Sequence, residues 1–331
     1  MKVSVLGAGQ WGTTLAQVLC DGGNDVLLWG RQSTVVTEIN SIHKNSKALG
    51  VTQLPDQLRA TTSIEEAFSH ASLKVLAVPA QSLRTNLQHW KSLLKKECRF
   101  VSSMKGIELK THLRMSEVIG EELAISSERI SILTGPNLAR EVVLRQPAGA
   151  VAASASPELA EQTAKVFGNS YFRVYTSPDV IGCELAGAAK NVIALAVGIS
   201  LGMGYGENTQ ALVITRGLNE LTRLGISYGA SPMTFVGLAG VGDLLATCGS
   251  SLSRNRTFGE ILGRTGSMSK AEEEVTATVE GVATARAIIE LARAKGVDTP
   301  IMSAVSEVVS NTISPEEAMI TLMKINTGAE I

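Results

Sequence analysis

The sequence predicts an α/β protein of two domains, a largely parallel sheet wound with helices followed by an all-helical carboxy-terminal domain, on three observations. The first half alternates short apolar runs with amphipathic stretches, the signature of βαβ units. A glycine-rich turn follows the first apolar run without a break. Beyond about residue 180, β-branched alternation gives way to long alanine- and leucine-rich segments interrupted by glycine. A chain of 331 residues can bury two hydrophobic cores. The change of character divides it into 1–180 and 181–331, with the boundary near Pro178 to Gly182.

The strand candidates, in order, are Val3–Leu6, Val26–Trp29, Lys74–Val78, Phe100–Ser103, Ile130–Leu133, Ala150–Ala153 and Phe172–Tyr175, each a short apolar or β-branched run. Between the first two, Thr13 to Leu19 has a helical pattern that ends at Gly22-Gly23. In the second half the most apolar stretch, Leu185 to Leu201, is rich in glycine and alanine and carries Lys190 and Asn191, which suits a buried helix better than a membrane span. Ser314-Pro315-Glu316-Glu317 combines an N-cap serine, proline at the first helical position and a glutamate three residues on, and so starts a final helix.

Composition narrows the function classes. The 30 basic and 31 acidic residues nearly balance and the basic ones form no long run, so neither nucleic acid nor an anionic membrane is the expected partner. Met1 leads straight into Lys2-Val3-Ser4-Val5-Leu6-Gly7, which reaches glycine too soon for a signal-peptide apolar region. Cys20, Cys98, Cys183 and Cys248 lie far apart with no C-x-x-C pair, the pattern of reduced thiols in a cytoplasmic protein rather than of a disulfide framework or a metal site. His43, His70, His89 and His112 all precede the second domain, so an acid-base group there has to be another residue type.

Gly7-Ala8-Gly9-Gln10-Trp11-Gly12 is a G-x-G-x-x-G between a strand and a helix. Gly7 permits the tight turn, Gly9 lets a pyrophosphate approach the backbone, and Gly12 brings helix and strand together, which leaves the helix N-terminus facing the phosphates. In that context the motif implies a Rossmann domain and a dinucleotide. NAD-specific sites of this kind usually end their second strand in an acid, but here the run is Leu27-Leu28-Trp29-Gly30-Arg31-Gln32-Ser33. Arg31 at that point can pair with a 2′-phosphate, which predicts NADP(H) used at least as well as NAD(H); it can equally be an ordinary solvated side chain.

Ligands of open α/β sheets gather at the carboxyl ends of the strands. Three segments follow strands there: Val78-Pro79-Ala80-Gln81, Met104-Lys105-Gly106 and Thr134-Gly135-Pro136-Asn137-Leu138-Ala139. Lys105 supplies a cation for a carbonyl or a phosphorylated substrate, although a lone loop lysine is also what simple solvation produces. Lys190 is the sharper signal. On a helix over Glu184 to Leu201 its neighbours three and four residues away are Ala186, Gly187, Ile193 and Ala194, so it sits on a face that should be buried. Burial disfavours a charged lysine and suits it to proton transfer; the bland alternative is a side chain that snorkels to the surface. Gly237-Leu238-Ala239-Gly240-Val241-Gly242-Asp243 reads as a glycine-rich loop, followed by Ser253-Arg254-Asn255-Arg256, whose arginines suit a phosphate or simply an exposed helical face. A carboxylate at Asp243 is costly to bury alone, and Lys190 is its expected partner.

Taken together, Gly7 to Thr13, Lys105-Gly106, Ser131 to Asn137, Leu185 to Ala194, Ile214 to Leu218, Gly237 to Asp243, Ser253 to Arg256 and Val279-Glu280-Gly281 resemble the successive motifs of the bacterial NAD(P)-dependent glycerol-3-phosphate dehydrogenases, from residue 3 to beyond 300. The resemblance implies the two-domain plan shared with 6-phosphogluconate dehydrogenase, a small phosphorylated substrate, and reversible reduction of dihydroxyacetone phosphate to sn-glycerol 3-phosphate for phospholipid synthesis. Carried over by position, it implies Lys190 as the acid-base residue and Lys105 and Asp243 at the reacting end. It also implies Gly135, Asn137, Ser253, Arg254 and Asn255 around the substrate, and Gln10, Trp11, Arg31, Lys105, Ala139, Arg254 and Glu280 at the cofactor. Two places depart from the family pattern. Asn45-Ser46-Lys47-Ala48-Leu49-Gly50 lacks the usual aromatic-Leu-Pro, and Met104 stands where threonine is common, which leaves closure of the cofactor-side loops and cofactor preference open. The competing readings are another dehydrogenase of the same plan, such as a ketopantoate reductase, and a non-catalytic NAD(P)-sensing module. A helical domain rich in small residues is also suited to packing against a second copy of the chain, so a homodimer is compatible with the sequence.

Overall fold

The computed structural model describes residues 1–275 and 279–324. It divides into two compact units, the first holding Met1–Glu108 and Leu113–Glu184, the second Leu109–His112 and the chain from Leu185 onward.

The first unit is built on eight strands: β1 (Lys2–Leu6), β2 (Asp25–Trp29), β3 (Arg59–Thr61), β4 (Leu73–Leu76), β5 (Arg99–Ser102), β6 (Ile130–Thr134), β7 (Ala148–Ser154) and β8 (Phe172–Ser177). Their order in the sheet is β3-β2-β1-β4-β5-β6-β7-β8, parallel throughout except between β6 and β7. Helices α1 (Gln10–Asp21), α2 (Ser33–Ile42), α3 (Ser46–Leu49), α4 (Ile64–His70), α5 (Leu83–Trp90), α6 (Met115–Leu123), α7 (Ala139–Val142) and α8 (Pro157–Phe167) connect them. Strands covered on both faces need unbroken apolar runs rather than alternation. Val26 to Trp29 meets that need outright, and Val3 to Leu6 and Leu73 to Leu76 meet it with one polar residue each, Ser4 and Lys74; all three are buried along their length. The order reverses between β1 and β4, and such a reversal opens a crevice at the carboxyl ends of those two strands.

Two features differ from the sequence reading. β4 ends at Leu76 rather than Val78, ahead of Pro79, which has no N–H to extend a ladder. β3 was not anticipated, because three residues are too few to display a period. Asn40 of α2 makes this edge strand possible by donating to the Ala60 carbonyl at 2.9 Å and accepting from the Ala60 N–H at 2.8 Å, in place of a neighbouring strand. Lys74 of β4 is wholly buried, and its ammonium donates to the carbonyls of Phe68 and Ala71 at the end of α4. Burial pushes its pKa down to about 8.

The described residues of the second unit form helices only: α9 (Val180–Gly202, which begins in the first unit), α10 (Glu207–Ser227), α11 (Pro232–Phe235), α12 (Asp243–Gly249), α13 (Arg254–Thr265), α14 (Met268–Glu274), α15 (Glu280–Ala294), α16 (Pro300–Val309) and α17 (Pro315–Met323). The last starts with the expected capping box at Ser314 and Glu317. α9 is apolar on all sides and long enough to cross a membrane, yet 89% of its most apolar window is buried within the protein, as a core helix should be. Pro232–Gly249 is also long and apolar enough, with 39% of its window buried. Gly198 and Gly202 of α9 face Gly259 and Gly263 of α13, so that a Cβ on any of them would overlap backbone of the opposite helix. Only glycine allows this approach, which sets the start of α13 relative to the middle of α9.

The segment Gly237–Asp243 is not a loop. Leu238–Gly242 forms a π-helical turn that runs directly into α12. Gly240 lies so close to Phe235 backbone that a side chain has no room, so its glycine serves the protein's own packing. Leu109–His112 groups with the second unit, so that unit, contrary to the expectation from sequence, does contain an imidazole.

Glu220 of α10 is buried and accepts from the backbone N–H groups of Ile301 (2.8 Å) and Met302 (3.1 Å), capping α16 from a distance. Burial raises its pKa from 4.5 to about 7, outweighing the two N–H groups that favour the carboxylate. A folded-state pKa above the unfolded one contributes stability that is complete below pH 4.5 and is lost as pH rises through about 7. Glu220→Gln does not titrate. Its melting temperature relative to the parent is therefore expected to rise between pH 5 and pH 8, by the equivalent of about 2–3 kcal/mol. Thermal melts across that range check it, and a constant difference refutes it.

Candidate active site

The glycine turn lies where β1 hands over to α1, beside β4 at the reversal of strand order. Gly7 has φ +126° and donates its N–H to the Trp29 carbonyl at 3.0 Å. A Cβ there would overlap the Ala77 carbonyl, and one on Gly12 would overlap the Gly7 carbonyl. Gly9 is different, because nothing lies within 4 Å of where its Cβ would be. α1 begins at Gln10 with no side-chain cap and no acid in its first turn. Its first N–H groups and positive dipole end thus carry no cap or counter-charge from the helix itself, beside the open space at Gly9, which fits a dinucleotide pyrophosphate. Gln10 and Trp11 are half-buried at that end. Arg31 is exposed two residues beyond β2, and Gly30, Gln32 and Ser33 around it include no carboxylate.

The carboxyl ends of β5 and β6 bring three other expected residues together. Lys105 is half-buried and donates to the carbonyl of Gly135 at 3.0 Å. Gly135 has φ +139°, and a Cβ there would press on the backbone of Gly149 and Ala150. Asn137 donates to the carbonyls of Gly149 (2.9 Å) and Pro136 (3.0 Å). Ala139 opens α7 just beyond.

In the second unit α9 carries Lys190, which is 6% exposed, and α12 begins at Asp243, 1% exposed. The expected ion pair forms: Lys190 Nζ lies 2.5 Å from Asp243 Oδ1. Nζ also donates to Thr247 Oγ1 at 2.6 Å, and that hydroxyl donates to the Asp243 carbonyl at 2.7 Å. The sequence reading missed Thr247, although its place one helical turn after Asp243 was the available signal. It also assigned no task to Asn191, the neighbour of Lys190, whose Oδ1 accepts from Asn255 Nδ2 at 2.9 Å.

Asn255 Oδ1 in turn accepts from the Gly281 N–H at 2.8 Å, next to Glu280 at the start of α15. Asn255 thereby ties α9, α13 and α15 together. Ser253 is the N-cap of α13, its hydroxyl accepting from the Arg256 N–H at 3.3 Å. Arg254 is exposed at the same helix end, while Arg256 is half-buried, with Nε in no hydrogen bond and a guanidinium nitrogen 3.7 Å from Glu260.

Two family descriptions match the chain, NAD-dependent glycerol-3-phosphate dehydrogenase N-terminus over residues 2–160 and its C-terminus over residues 179–320. The glycerol-3-phosphate dehydrogenase [NAD(P)+] of Corynebacterium jeikeium is 48% identical over 331 residues, covering 100% of both chains. That of Thermobifida fusca is 50% identical over 330 residues, covering 99% of this chain and 98% of its own. Among solved structures, glycerol-3-phosphate dehydrogenase from Coxiella burnetii superposes with a TM-score of 0.92 at 32% identity, covering 98% of each chain. A ketopantoate reductase from Ralstonia eutropha shares the fold alone, at 15% identity and a TM-score of 0.60 over 96% of this chain and 99% of its own. Both units bear the marks of one lineage, and the chain belongs to the NAD-dependent glycerol-3-phosphate dehydrogenase family.

Proposed function

We propose that this protein reversibly reduces dihydroxyacetone phosphate to sn-glycerol 3-phosphate in the cytoplasm, for glycerophospholipid synthesis, with Lys190 as the proton donor and acceptor. The observation that carries the reading is the buried Lys190–Asp243–Thr247 cluster. When bound, NAD(P)H supplies the hydride that the carbonyl carbon accepts. As that carbon gains the electron pair, negative charge develops on its oxygen, and Lys190 gives the oxygen a proton. In the reverse direction the amine removes it. Asp243 balances the ammonium where burial limits its solvation, and Thr247 holds Nζ in one direction.

Lys105, Gly135 and Asn137 are assigned to the substrate from the sheet side. Ser253, Arg254 and Asn255 are assigned to the phosphate end, since an exposed arginine at a helix N-terminus is suited to an anion. Asn255 accepts from the Gly281 N–H and donates one Nδ2 hydrogen to Asn191, so it offers an anion its second Nδ2 hydrogen. Cytoplasmic residence is supported by four free, buried cysteines. Burial pushes the thiols of Cys20, Cys183 and Cys248 up to about 12, far from reactive thiolates. The test is NADPH oxidation with dihydroxyacetone phosphate beside ketopantoate; turnover with ketopantoate alone overturns the assignment.

Arg31 is assigned to the 2′-phosphate, supported by its exposure after β2 and by the lack of a carboxylate beside it. Arg31→Ala is expected to lower the NADPH/NADH ratio of kcat/KM by about tenfold, the size of one charge-assisted hydrogen bond. An unchanged ratio would remove Arg31 from cofactor choice.

A further inference from the structure

We infer that Asn45 is a positioning residue for the cofactor: it fixes the peptide between Ala8 and Gly9 so that the glycine turn is held ready for a pyrophosphate. Asn45 follows α2 and precedes α3, and it is 1% exposed. Its Nδ2 donates to the Ala8 carbonyl at 3.1 Å, in the middle of the turn, and to Thr13 Oγ1 at 2.9 Å, in the first turn of α1. One carboxamide thus ties the glycine turn to the first turn of α1.

The direction of that grip matters. Every peptide bond among the described residues is trans, so the N–H of Gly9 points opposite to the carbonyl of Ala8. With the carbonyl held toward Asn45, the N–H is held away from it. A glycine-flanked peptide is otherwise among the easiest in a chain to rotate, since glycine accepts positive and negative φ alike. The residue after this peptide is Gly9, so the glycine that keeps the turn open also makes it loose. Asn45 removes the looseness before a ligand arrives, and preorganisation of this kind raises affinity by lowering the ordering cost of binding.

The segment carrying Asn45 is itself anchored. Ser46 donates its N–H to the Glu38 carboxylate at 3.2 Å and its hydroxyl to the same group, which fixes the entry to α3 against α2. From the other side Gln10 Nε2 donates to the Ala48 carbonyl at 3.3 Å. The segment and the turn are therefore joined in both directions. Asn45 Oδ1 is buried with no hydrogen-bond partner, a costly arrangement that an apolar side chain would avoid. Packing alone does not account for the amide at this position, whereas its two donated bonds do.

The inference rests on the glycine turn being the pyrophosphate seat, and the experiment separates the two. NADPH affinity of the full chain is measured by fluorescence titration, with steady-state kinetics, for the parent, Asn45→Ala, Asn45→Asp and Gly9→Val. Asn45→Ala is expected to raise both the Kd and the KM for NADPH about tenfold, with kcat within twofold and the KM for dihydroxyacetone phosphate unchanged. Asn45→Asp keeps the shape but turns an acceptor toward the Ala8 carbonyl, so it is expected to bind at least as weakly, and it decides the matter if Asn45→Ala does not fold. Gly9→Val fills the open space and is expected to abolish binding. If Gly9→Val binds NADPH like the parent, the seat is elsewhere and both readings fall. If Gly9→Val loses binding while a folded Asn45 variant keeps the parent's affinity, or loses only kcat, the role of Asn45 alone is overturned.

Discussion

Lys190→Ala is expected to bind NADPH as the parent does and to lose about a thousandfold in kcat, within the range that removal of a positioned acid-base group produces. The expectation follows from what the side chain touches. Nζ is held by Asp243 and Thr247 within the second unit, while the glycine turn belongs to the first, so truncation removes a proton donor without altering the turn. Lys190→Arg is expected to be nearly as inactive, because a guanidinium keeps its proton throughout the working pH range. Cofactor titration beside single-turnover reduction of dihydroxyacetone phosphate separates binding from chemistry. A Lys190→Ala enzyme that turns over within tenfold of the parent would end the acid-base assignment. A parent that binds NADPH yet turns over no substrate would instead favour a sensing module.

Asp243→Ala is expected to have the largest effect on stability. It leaves the Lys190 ammonium buried without its counter-charge, and breaking a buried pair from one side costs about 3–5 kcal/mol. That corresponds to a fall in melting temperature on the order of 10 °C. Removing both charges is a different case, since well-packed apolar groups can replace a buried ion pair at little cost. Lys190→Met with Asp243→Leu is therefore expected to melt within a few degrees of the parent, at about 2–4 °C per kcal/mol, while remaining inactive. Calorimetry of the single and double variants checks the pair. If Asp243→Ala melts with the parent, Asp243 is not the charge that makes Lys190 tolerable in the interior.

Much of the candidate site's geometry was legible because several signals in the chain are local. The turn at Gly7 to Gly12 announces itself within six residues, as does the capping box at Ser314, and both form as read. The Lys190–Asp243 pair was legible for another reason. A lysine on an apolar helical face and a carboxylate in an apolar segment each demand a partner, and the chain offered each to the other. Thr247 and Asn45 gave no comparable demand, because a neutral hydroxyl or amide is at home in solvent as well as in a core.

By itself, the sequence determined the alternation that builds the sheet, the change to helices, the glycine turn ahead of the first helix and the need of two buried charges for one another. Periodicity, turn chemistry and desolvation act on each residue whatever its distant neighbours, so they can be read along the chain. The three-dimensional fold alone decided that Asn40 would complete the edge strand, that Leu238–Gly242 would wind into a π turn, and that Leu109–His112 would join the second unit. It also decided that Asn255 would bridge to Asn191 and Gly281 and that Asn45 would reach the glycine turn. Each of these contacts pairs groups distant in sequence or settles between two acceptable local conformations, and only packing brings the members close enough to choose.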